Sequence, residues 1–262
     1  MFLITGGLGR VGGIIRSRIE ALQPASLFDN RMDTEQDVLD FNALYKVIDE
    51  ENIKTIIHLA EAGRPRLDER NDRNLFKLNT KGTKNVIDLA KRKDISLIYA
   101  TDMNKARGDY NRAKQLNEKR IMAQAKKGYL IALPVILPFT DKPEWVTKTH
   151  LTELFLQFAT EENGKYIFNL AFNDMIYLAT DKMIADSFYD LISNLDNLTP
   201  GEVENTHFIA IKVSNFVKMV DRHFPEIVVE SRCDEGETDN ETGVDVLEAY
   251  FSSLTFSTMY KA

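Results

Sequence analysis

Short apolar runs alternate with longer segments of helical periodicity through the first half of the chain. The apolar runs predict strands at Phe2–Thr5, Ser26–Asp29, Thr55–Leu59, Ser96–Ala100 and Tyr129–Leu133. The periodic segments between them predict helices at Arg10–Leu22, Phe41–Glu50, Leu75–Lys93 and Tyr110–Ala125. Strands that are joined through helices pair in parallel, so this alternation predicts an α/β fold with a doubly wound parallel sheet.

The regular alternation of strands and helices ends after Pro138, where a loop rich in charged residues and proline begins. The elements predicted beyond it are a helix near Thr149–Thr160, strands at Lys165–Leu170 and Met175–Ala179, a helix at Asp181–Asn194, a strand at Thr206–Ile211 and a helix at Val213–Phe224. The acidic segment Cys233–Glu241 is predicted to be a solvated loop. We therefore predict two domains: residues 1–138 with the main sheet, and residues 139–262 as a smaller α/β lobe that binds substrate and partly completes the sheet.

Composition narrows the class of protein. The 262 residues carry a formal net charge of -7, which argues against a surface for nucleic acid or anionic membrane. The single cysteine, Cys233, excludes an internal disulfide and favours a reducing, cytoplasmic location. No apolar run reaches the roughly 20 residues of a membrane helix, and the first residues already form a strand, which leaves no room for a signal peptide. The four histidines show no metal-ligand spacing, so we expect no metal site.

A glycine-rich turn follows the first predicted strand directly. Gly6, Gly9 and Gly12 recur every three residues, and the run Gly7-x-Gly9-x-x-Gly12 satisfies the dinucleotide fingerprint. These glycines allow a tight turn, a close approach of backbone to pyrophosphate, and close packing of helix on strand. The helix predicted from Arg10 would direct its N-terminal amides at the phosphates. The first half is therefore predicted to be a Rossmann-type domain.

The residues after the second strand bear on the choice of dinucleotide. Asp29 and Asn30 end this strand, where a carboxylate accepts the hydroxyls of an adenosine ribose and repels a 2′-phosphate. Arg10 and Arg31 are two cations that together can accommodate such a phosphate. We expect NAD rather than NADP, because the carboxylate makes a direct repulsive contact.

Tyr110 and Lys114 lie one helical turn apart on one face of a predicted helix. A free phenol with a pKa of about 10 is a poor base at neutral pH. A neighbouring ammonium and a cationic nicotinamide favour the phenolate, so we expect a lowered pKa for Tyr110. The tyrosine would then exchange a proton with a substrate hydroxyl while a hydride moves to or from the nicotinamide.

Together these signatures resemble the extended branch of the short-chain dehydrogenase/reductase superfamily, which includes NAD-dependent sugar-nucleotide epimerases, dehydratases and reductases. Further segments are similar to family landmarks: Asp37-Val-Leu-Asp40, His58-Leu-Ala60, Asn79-Thr-Lys-Gly82-Thr83-Lys-Asn85 and Ile176-Tyr-Leu-Ala-Thr-Asp181. The resemblance implies that Thr101 holds the substrate oxygen beside Tyr110 and Lys114. It implies a cofactor site of Gly6, Gly9, Arg10, Val11, Gly12, Asp29, Asn30, Asp37, Val38, Leu59, Ala60, Asn79, Tyr110, Lys114 and Pro134.

The resemblance also implies an activity and an assembly. The expected activity is hydride transfer on a nucleotide-linked sugar, catalysed by an oxidoreductase or an epimerase. The pair Thr101-Asp102 resembles the deoxysugar reductases and makes Asp102 a candidate substrate contact, whereas Asp29-Asn30 favours an epimerase that retains NAD. The helices Leu75–Lys93 and Tyr110–Ala125 are the pair that this branch uses for a dimer interface, so a homodimer is expected.

The departures from the family pattern fall on the substrate side. Eight residues separate Thr101 from Tyr110, where the branch has a longer loop that helps to cover the substrate. The strand near Leu133-Pro134 keeps a proline and lacks the family's arginine, asparagine and tyrosine. Two alternatives therefore stay open: a dehydrogenase of a free sugar or uronic acid, and a non-catalytic subunit that binds dinucleotide as a sensor or scaffold.

Overall fold

The computed structural model describes residues 1–62, 73–103, 109–138, 146, 148–168, 174–225, 227–231 and 244–254. The helices are α1 (Arg10–Leu22), α2 (Phe41–Glu50), α3 (Arg73–Lys93), α4 (Asp109–Gln124), α5 (Lys148–Phe155), α6 (Asp181–Ser193), α7 (Val213–His223) and α8 (Val244–Ser253). The strands are β1 (Phe2–Thr5), β2 (Ala25–Phe28), β3 (Thr55–His58), β4 (Ser96–Asp102), β5 (Gly128–Leu133), β6 (Val135–Ile136), β7 (Ala159–Glu162), β8 (Lys165–Phe168), β9 (Met175–Ala179), β10 (Val203–Asn205), β11 (Ile209–Lys212) and β12 (Val229–Ser231).

Six parallel strands form the main sheet, in the order β10-β5-β4-β3-β1-β2. Strand β1 lies between β2 and β3, so the order reverses beside the glycine turn, as in a doubly wound fold. The expected α/β Rossmann-type architecture is confirmed. The helices α1 and α2 have the predicted bounds, and the predicted strands of this half are each matched to within two residues at either end.

Apolar packing explains why these strands form a sheet that is covered by helices. Every residue of β1 and β3 is buried, which is the pattern of parallel strands covered on both faces. One cluster joins sheet residues to helix residues, and its fully buried members include Leu3, Ile56, Leu97, Leu130, Leu44, Val86 and Ile121. Each such side chain contributes about 1.5–3 kcal/mol when it is fully buried. The carboxyl ends of the strands are thereby held in fixed register.

The chain divides into two compact units. Among the described residues, the first unit takes residues 1–62, 73–133 and 183–207, and the second takes residues 134–182 and 208–254. The second unit contains two three-stranded sheets, ordered β11-β9-β6 and β12-β8-β7. The predicted domain boundary at residue 138 stays a prediction, and the acidic segment Cys233–Glu241 lies outside the described residues.

The predicted helix near Thr149–Thr160 is only partly correct. Helix α5 ends at Phe155, and Ala159–Glu162 instead pairs antiparallel with β8. Asn163 and Gly164 join these two strands with φ angles of 53° and 79°. A two-residue turn with two positive φ angles is the favoured hairpin connection, and it overrides the helical pattern. No helix in the described part of the chain is long and apolar enough to span a membrane.

Candidate dinucleotide and catalytic site

The glycine turn after β1 requires a residue without a side chain at its first position. Gly6 has a φ of 69°, in the left-handed region, and a Cβ there would lie 2.7 Å from the Cα atom of Ala60. The Gly6 amide donates to the Phe28 carbonyl at 2.9 Å, and the Gly9 amide donates to the Gly6 carbonyl at 2.9 Å. The turn is therefore folded tightly between β2 and the end of β3.

Helix α1 begins at the end of this turn and packs on its backbone. A Cβ on Gly12 would lie 2.6 Å from the carbonyl carbon of Gly7, so only glycine permits this approach. Gly9 occupies the N-cap position without a side-chain hydrogen bond, and Arg10 and Val11 follow in the first turn. The first amides of a helix lack intrahelical partners and attract anions. The cradle therefore fits a dinucleotide pyrophosphate.

Asp29 lies at the carboxyl end of β2 with its carboxylate held beside the turn. Its Oδ2 atom accepts from the Leu8 amide at 2.9 Å and from Arg31 Nη2 at 2.8 Å, and its Oδ1 atom accepts from Arg31 Nε at 3.0 Å. The hydrogen bonds from Arg31 hold the pKa of this buried carboxyl below its usual range. The Arg31 side chain is 56% exposed. The carboxylate expected to meet the adenosine ribose is therefore already paired with a cation, while Asn30 is exposed beside it.

Two further predicted segments, Asp37–Asp40 and Asn79–Asn85, contact each other. Asn85 of α3 donates to the carbonyls of Val38 and Leu39 at 2.9 and 3.1 Å, and a Cβ on Gly82 would lie 3.0 Å from Val38. The Asp37 carboxylate accepts from the Leu39 amide at 2.9 Å and shapes the same turn.

The end of β3 is attached to β1 through backbone and side-chain contacts. The Leu59 amide donates to the Thr5 carbonyl at 3.1 Å, and the Ala60 amide donates to Thr5 Oγ1 at 3.4 Å. These bonds keep Ala60 against Gly6. The predicted segment His58-Leu-Ala60 therefore lies directly at the glycine turn. Pro134, also predicted for the cofactor site, is buried and directly follows β5.

The Glu61 carboxylate contacts both Tyr110 and Lys114, the residues that the sequence predicts to be catalytic. The Tyr110 hydroxyl donates to Glu61 Oε2 at 2.7 Å, and Lys114 Nζ lies 2.6 Å from Glu61 Oε1. The ammonium also donates to the Ala100 carbonyl at 2.7 Å, and the Tyr99 hydroxyl donates to Glu61 Oε1 at 3.2 Å. Tyr110 and Lys114 are both buried, as their spacing on one helical face requires.

The groups of the chain around Tyr110 do not lower the pKa of its hydroxyl, and the lowering expected from a cationic nicotinamide stays a prediction. Burial raises the pKa of its hydroxyl well above the ordinary value of 10.0, and the charges of Glu61 and Asp102 raise it further. The Lys114 ammonium does not reverse this effect, because its charge is paired with the carboxylate of Glu61. Tyr110 is therefore a protonated phenol at neutral pH.

Thr101 is buried at the end of β4, and its hydroxyl donates to the carboxylate of Glu118 on α4. It lies on the strand beside β5 in the sheet, opposite Ala132. To hold a substrate oxygen, as expected, this hydroxyl must donate to the substrate instead of Glu118, or it must accept a hydrogen bond from the substrate while it donates to Glu118. That role, and substrate contact by the neighbouring Asp102, stay predictions.

Asn79 supports the segment that carries Glu61. Its side chain accepts from the Ala62 amide at 2.7 Å and donates to the Ala62 carbonyl at 3.0 Å. This two-point contact with α3 fixes the backbone directly after Glu61. Asn79 therefore positions the site through the segment that follows β3, and its expected place in the cofactor site stays a prediction.

His58 has a structural role. Its Nδ1 atom lies 2.7 Å from Thr5 Oγ1 and its Nε2 atom lies 3.0 Å from Thr83 Oγ1. Burial, assisted by the charge of Lys114, lowers its pKa from 6.5 to about 3. The ring is therefore neutral and links β1, β3 and α3.

The neutral His58 makes folding stability depend on pH. The unfolded chain binds a proton at this residue below about pH 6.5 while the folded chain does not, so stability falls as the pH decreases toward 3. Between pH 7 and pH 5 we expect a loss of about 2 kcal/mol from this residue. Urea unfolding at both pH values should show that His58→Asn lacks this component. The matched variant of the exposed His207, His207→Asn, should keep it, and equal pH dependence in all three proteins would contradict the assignment.

Sequence reasoning missed Glu61, Glu118 and Tyr99. Glu118 follows Lys114 by one further turn, so the spacing 110, 114, 118 was a local signal that three polar residues share one face of α4. Glu61 directly follows the segment His58-Leu-Ala60 at a carboxyl strand end, where acidic residues meet bound ligands in open α/β sheets. No local pattern links it to Tyr110, because the two residues are 49 positions apart.

Comparisons with known proteins agree with this geometry. The sequence profile of the NAD-dependent epimerase/dehydratase family matches residues 2–131. The fold is similar to that of an L-threonine dehydrogenase from Phytophthora infestans, with 15% identity, 97% of each chain covered and a TM-score of 0.68. It is also similar to a dTDP-4-dehydrorhamnose reductase from Clostridium acetobutylicum, with 14% identity, coverage of 97% of this chain and 99% of that one, and a TM-score of 0.64. A comparison with curated proteins finds no match. At such identities the solved structures show the fold alone.

Proposed function

We propose, from the match of residues 2–131 to the NAD-dependent epimerase/dehydratase family, that the chain interconverts an alcohol and a carbonyl group on a sugar. The family makes the chain a nicotinamide-dependent oxidoreductase. The dinucleotide, when bound, supplies the hydride acceptor or donor. Tyr110 carries the proton of the substrate oxygen, Lys114 and Glu61 set its electrostatic environment, and Thr101 orients the oxygen.

One observation carries this proposal: the buried Tyr110 and Lys114 side chains meet at Glu61, directly after the strand end that contacts the glycine turn. Glu61 is one residue from Ala60, whose backbone touches Gly6. This proximity supports a role for Tyr110 as the proton carrier beside a dinucleotide bound at the glycine turn. Proton transfer and hydride transfer at one carbinol need this proximity.

The substrate class that we propose is a nucleotide-linked sugar. The resemblance of Thr101-Asp102 to the deoxysugar reductases supports it, and a solved dTDP-4-dehydrorhamnose reductase has a similar fold. The fold is shared with L-threonine dehydrogenases as well, so L-threonine belongs among the compounds to be tested. The free-sugar and uronate alternative is tested in the same series. A homodimer and a cytoplasmic location stay predictions.

The cofactor that we propose is NAD, selected by the Asp29 carboxylate against a 2′-phosphate. Arg31 weakens this selection, because it pairs with both carboxylate oxygens and presents an exposed guanidinium beside Gly9. We expect the cofactor-free protein to bind NADH in the micromolar range and to prefer it to NADPH by a modest factor. Removing the guanidinium in Arg31→Ala should raise the NADPH Kd by about tenfold or more, with a smaller change for NADH.

Calorimetric titration with both reduced cofactors, followed by turnover measurements, tests the proposal. The compounds are dTDP-4-dehydrorhamnose with NADH, and L-threonine, free sugars and uronates with NAD, with nicotinamide absorbance as the readout. Cofactor binding together with turnover of a sugar compound is expected. Failure to bind either cofactor would contradict the site at the glycine turn.

A second candidate function is favoured by one specific observation. The Tyr110 hydroxyl and the Lys114 ammonium both contact the Glu61 carboxylate, which suits a site that binds dinucleotide without catalysis. A sensor or scaffold subunit of this kind would bind NADH and turn over no member of the series. The turnover measurements therefore separate the two functions.

A further inference from the structure

Glu61 is more exposed to solvent than the two residues that it contacts, Tyr110 and Lys114. Its side chain is 15% exposed, whereas that of Lys114 is 8% exposed and Tyr110 as a whole is 6% exposed. A proton on the buried phenol has a short path to solvent through this carboxylate. The clamp of Asn79 on Ala62 holds the carboxylate in this position.

The hydrogen bond from Tyr110 to Glu61 already points the phenol proton at a base. The two oxygens lie 2.7 Å apart, which is the usual length of an O–H···O bond. A proton that arrives on the phenol oxygen from a substrate can therefore displace the phenol's own proton onto the carboxylate. Such a transfer avoids a free tyrosinate, which burial and the neighbouring anions disfavour.

Among the described residues around this hydroxyl, Glu61 is the carboxylate that accepts its hydrogen bond. The Tyr99 hydroxyl is a donor to Glu61, and Lys114 is paired with the same carboxylate. Asp102 acts on Tyr110 through its charge. His58 is neutral and lies between two threonine hydroxyls.

We propose that Glu61 is the proton relay of this site, a role that rests on the proposed oxidoreductase function. A bound dinucleotide would supply the hydride acceptor or donor. In the oxidative direction, the proton of the substrate hydroxyl passes to Tyr110 Oη. The phenol proton passes at the same time to Glu61 Oε2, and the neutral carboxyl group then releases it to solvent. In the reductive direction, Glu61 takes a proton from solvent and returns it to Tyr110, which protonates the carbonyl oxygen.

Glu61→Gln tests the relay, because the amide keeps the size of the side chain, accepts hydrogen bonds through one oxygen instead of two, and cannot carry the proton as a carboxyl group does. With the substrate identified in the turnover series, kcat should fall by about a hundredfold or more, while KM and the NADH Kd change little. The kcat of the variant should also lose the pH dependence that the carboxylate gives the wild type. The matched control is Glu50→Gln, which makes the same change at an exposed position on α2 and should keep wild-type kinetics.

A second readout needs no cofactor or substrate. Tyrosinate absorbance during a pH titration, with Tyr110→Phe subtracted, should show that Tyr110 ionises at lower pH in Glu61→Gln than in the wild type. Loss of the neighbouring negative charge is the cause. An unchanged titration would contradict the contact on which the relay depends.

Chemical rescue separates proton transfer from a structural role. Glu61→Ala should recover turnover when formate is added, because formate can occupy the vacated space and accept the proton. Normal turnover in Glu61→Gln, or no rescue by formate in a folded Glu61→Ala protein that binds NADH, would overturn the relay alone. A wild-type protein that binds NADH and turns over no compound would instead overturn the proposed function, and the relay with it.

Discussion

Replacement of Tyr110 by phenylalanine is expected to lower turnover by about two to four orders of magnitude, the usual contribution of a positioned proton donor or acceptor. The phenylalanine ring fills the same buried space, so the fold and the glycine turn should be unaffected. The lost group is the hydroxyl that donates to Glu61. Steady-state kinetics with the identified substrate and calorimetric titration with NADH measure the two parts of this prediction.

Tyr129 provides the matched control for this variant. It is a buried tyrosine near the amino end of β5, opposite Ile98 of β4, and is far along the strand from the catalytic edge. Tyr129→Phe should keep both turnover and NADH binding. If Tyr110→Phe retained more than a tenth of the wild-type turnover, the phenol would not carry the substrate proton and the catalytic assignment would be wrong.

Adjacent glycines in α1 should respond in opposite directions to the same substitution. In Gly12→Ala the new methyl group would lie 2.6–2.7 Å from the Gly7 backbone, so the helix must move away from the turn. Such overpacking costs about 1–3 kcal/mol of stability. Displacement of the helix amides should also raise the NADH Kd by about tenfold or more, because the phosphates lose their cradle.

Gly13→Ala is the internal control, because a Cβ at this exposed helical position would meet no described atom within 4 Å outside its own stretch of helix backbone. Alanine is favoured over glycine in a helix by about 1 kcal/mol, so this variant should be more stable than the wild type and bind NADH normally. Urea unfolding and calorimetric titration of both variants give the comparison. Equal NADH affinity in the two variants would show that the glycine turn does not bind the dinucleotide.

The elements that could be predicted from sequence are those whose signals are local. Strands β1 and β3 are short apolar runs because both faces of a parallel sheet are covered, and the glycine turn marks the start of α1. Strand β10 has no such signal. It is three residues long, its Val203 is 47% exposed, and it is a strand because it pairs with β5 some 70 residues earlier.

The same distinction separates the predicted and unpredicted parts of the site. Tyr110 and Lys114 were identified because one helix fixes their spacing, and the glycines because one turn does. The partners that change their chemistry come from elsewhere: Glu61 from the end of β3, and Arg31 from beyond β2. Charge pairs of this kind depend on which strands lie side by side, and the pattern of one segment does not reveal them.

The late position of β10 in the chain has a consequence for biosynthesis. The main sheet receives its last strand from residues that the ribosome makes after β6, β7, β8 and β9. Until residue 205 has emerged, the outer edge of β5 has no strand partner, and an unpaired strand edge is a template for aggregation. Completion of the first unit is therefore a late, non-local folding event, and pairings of such high sequence separation are slow.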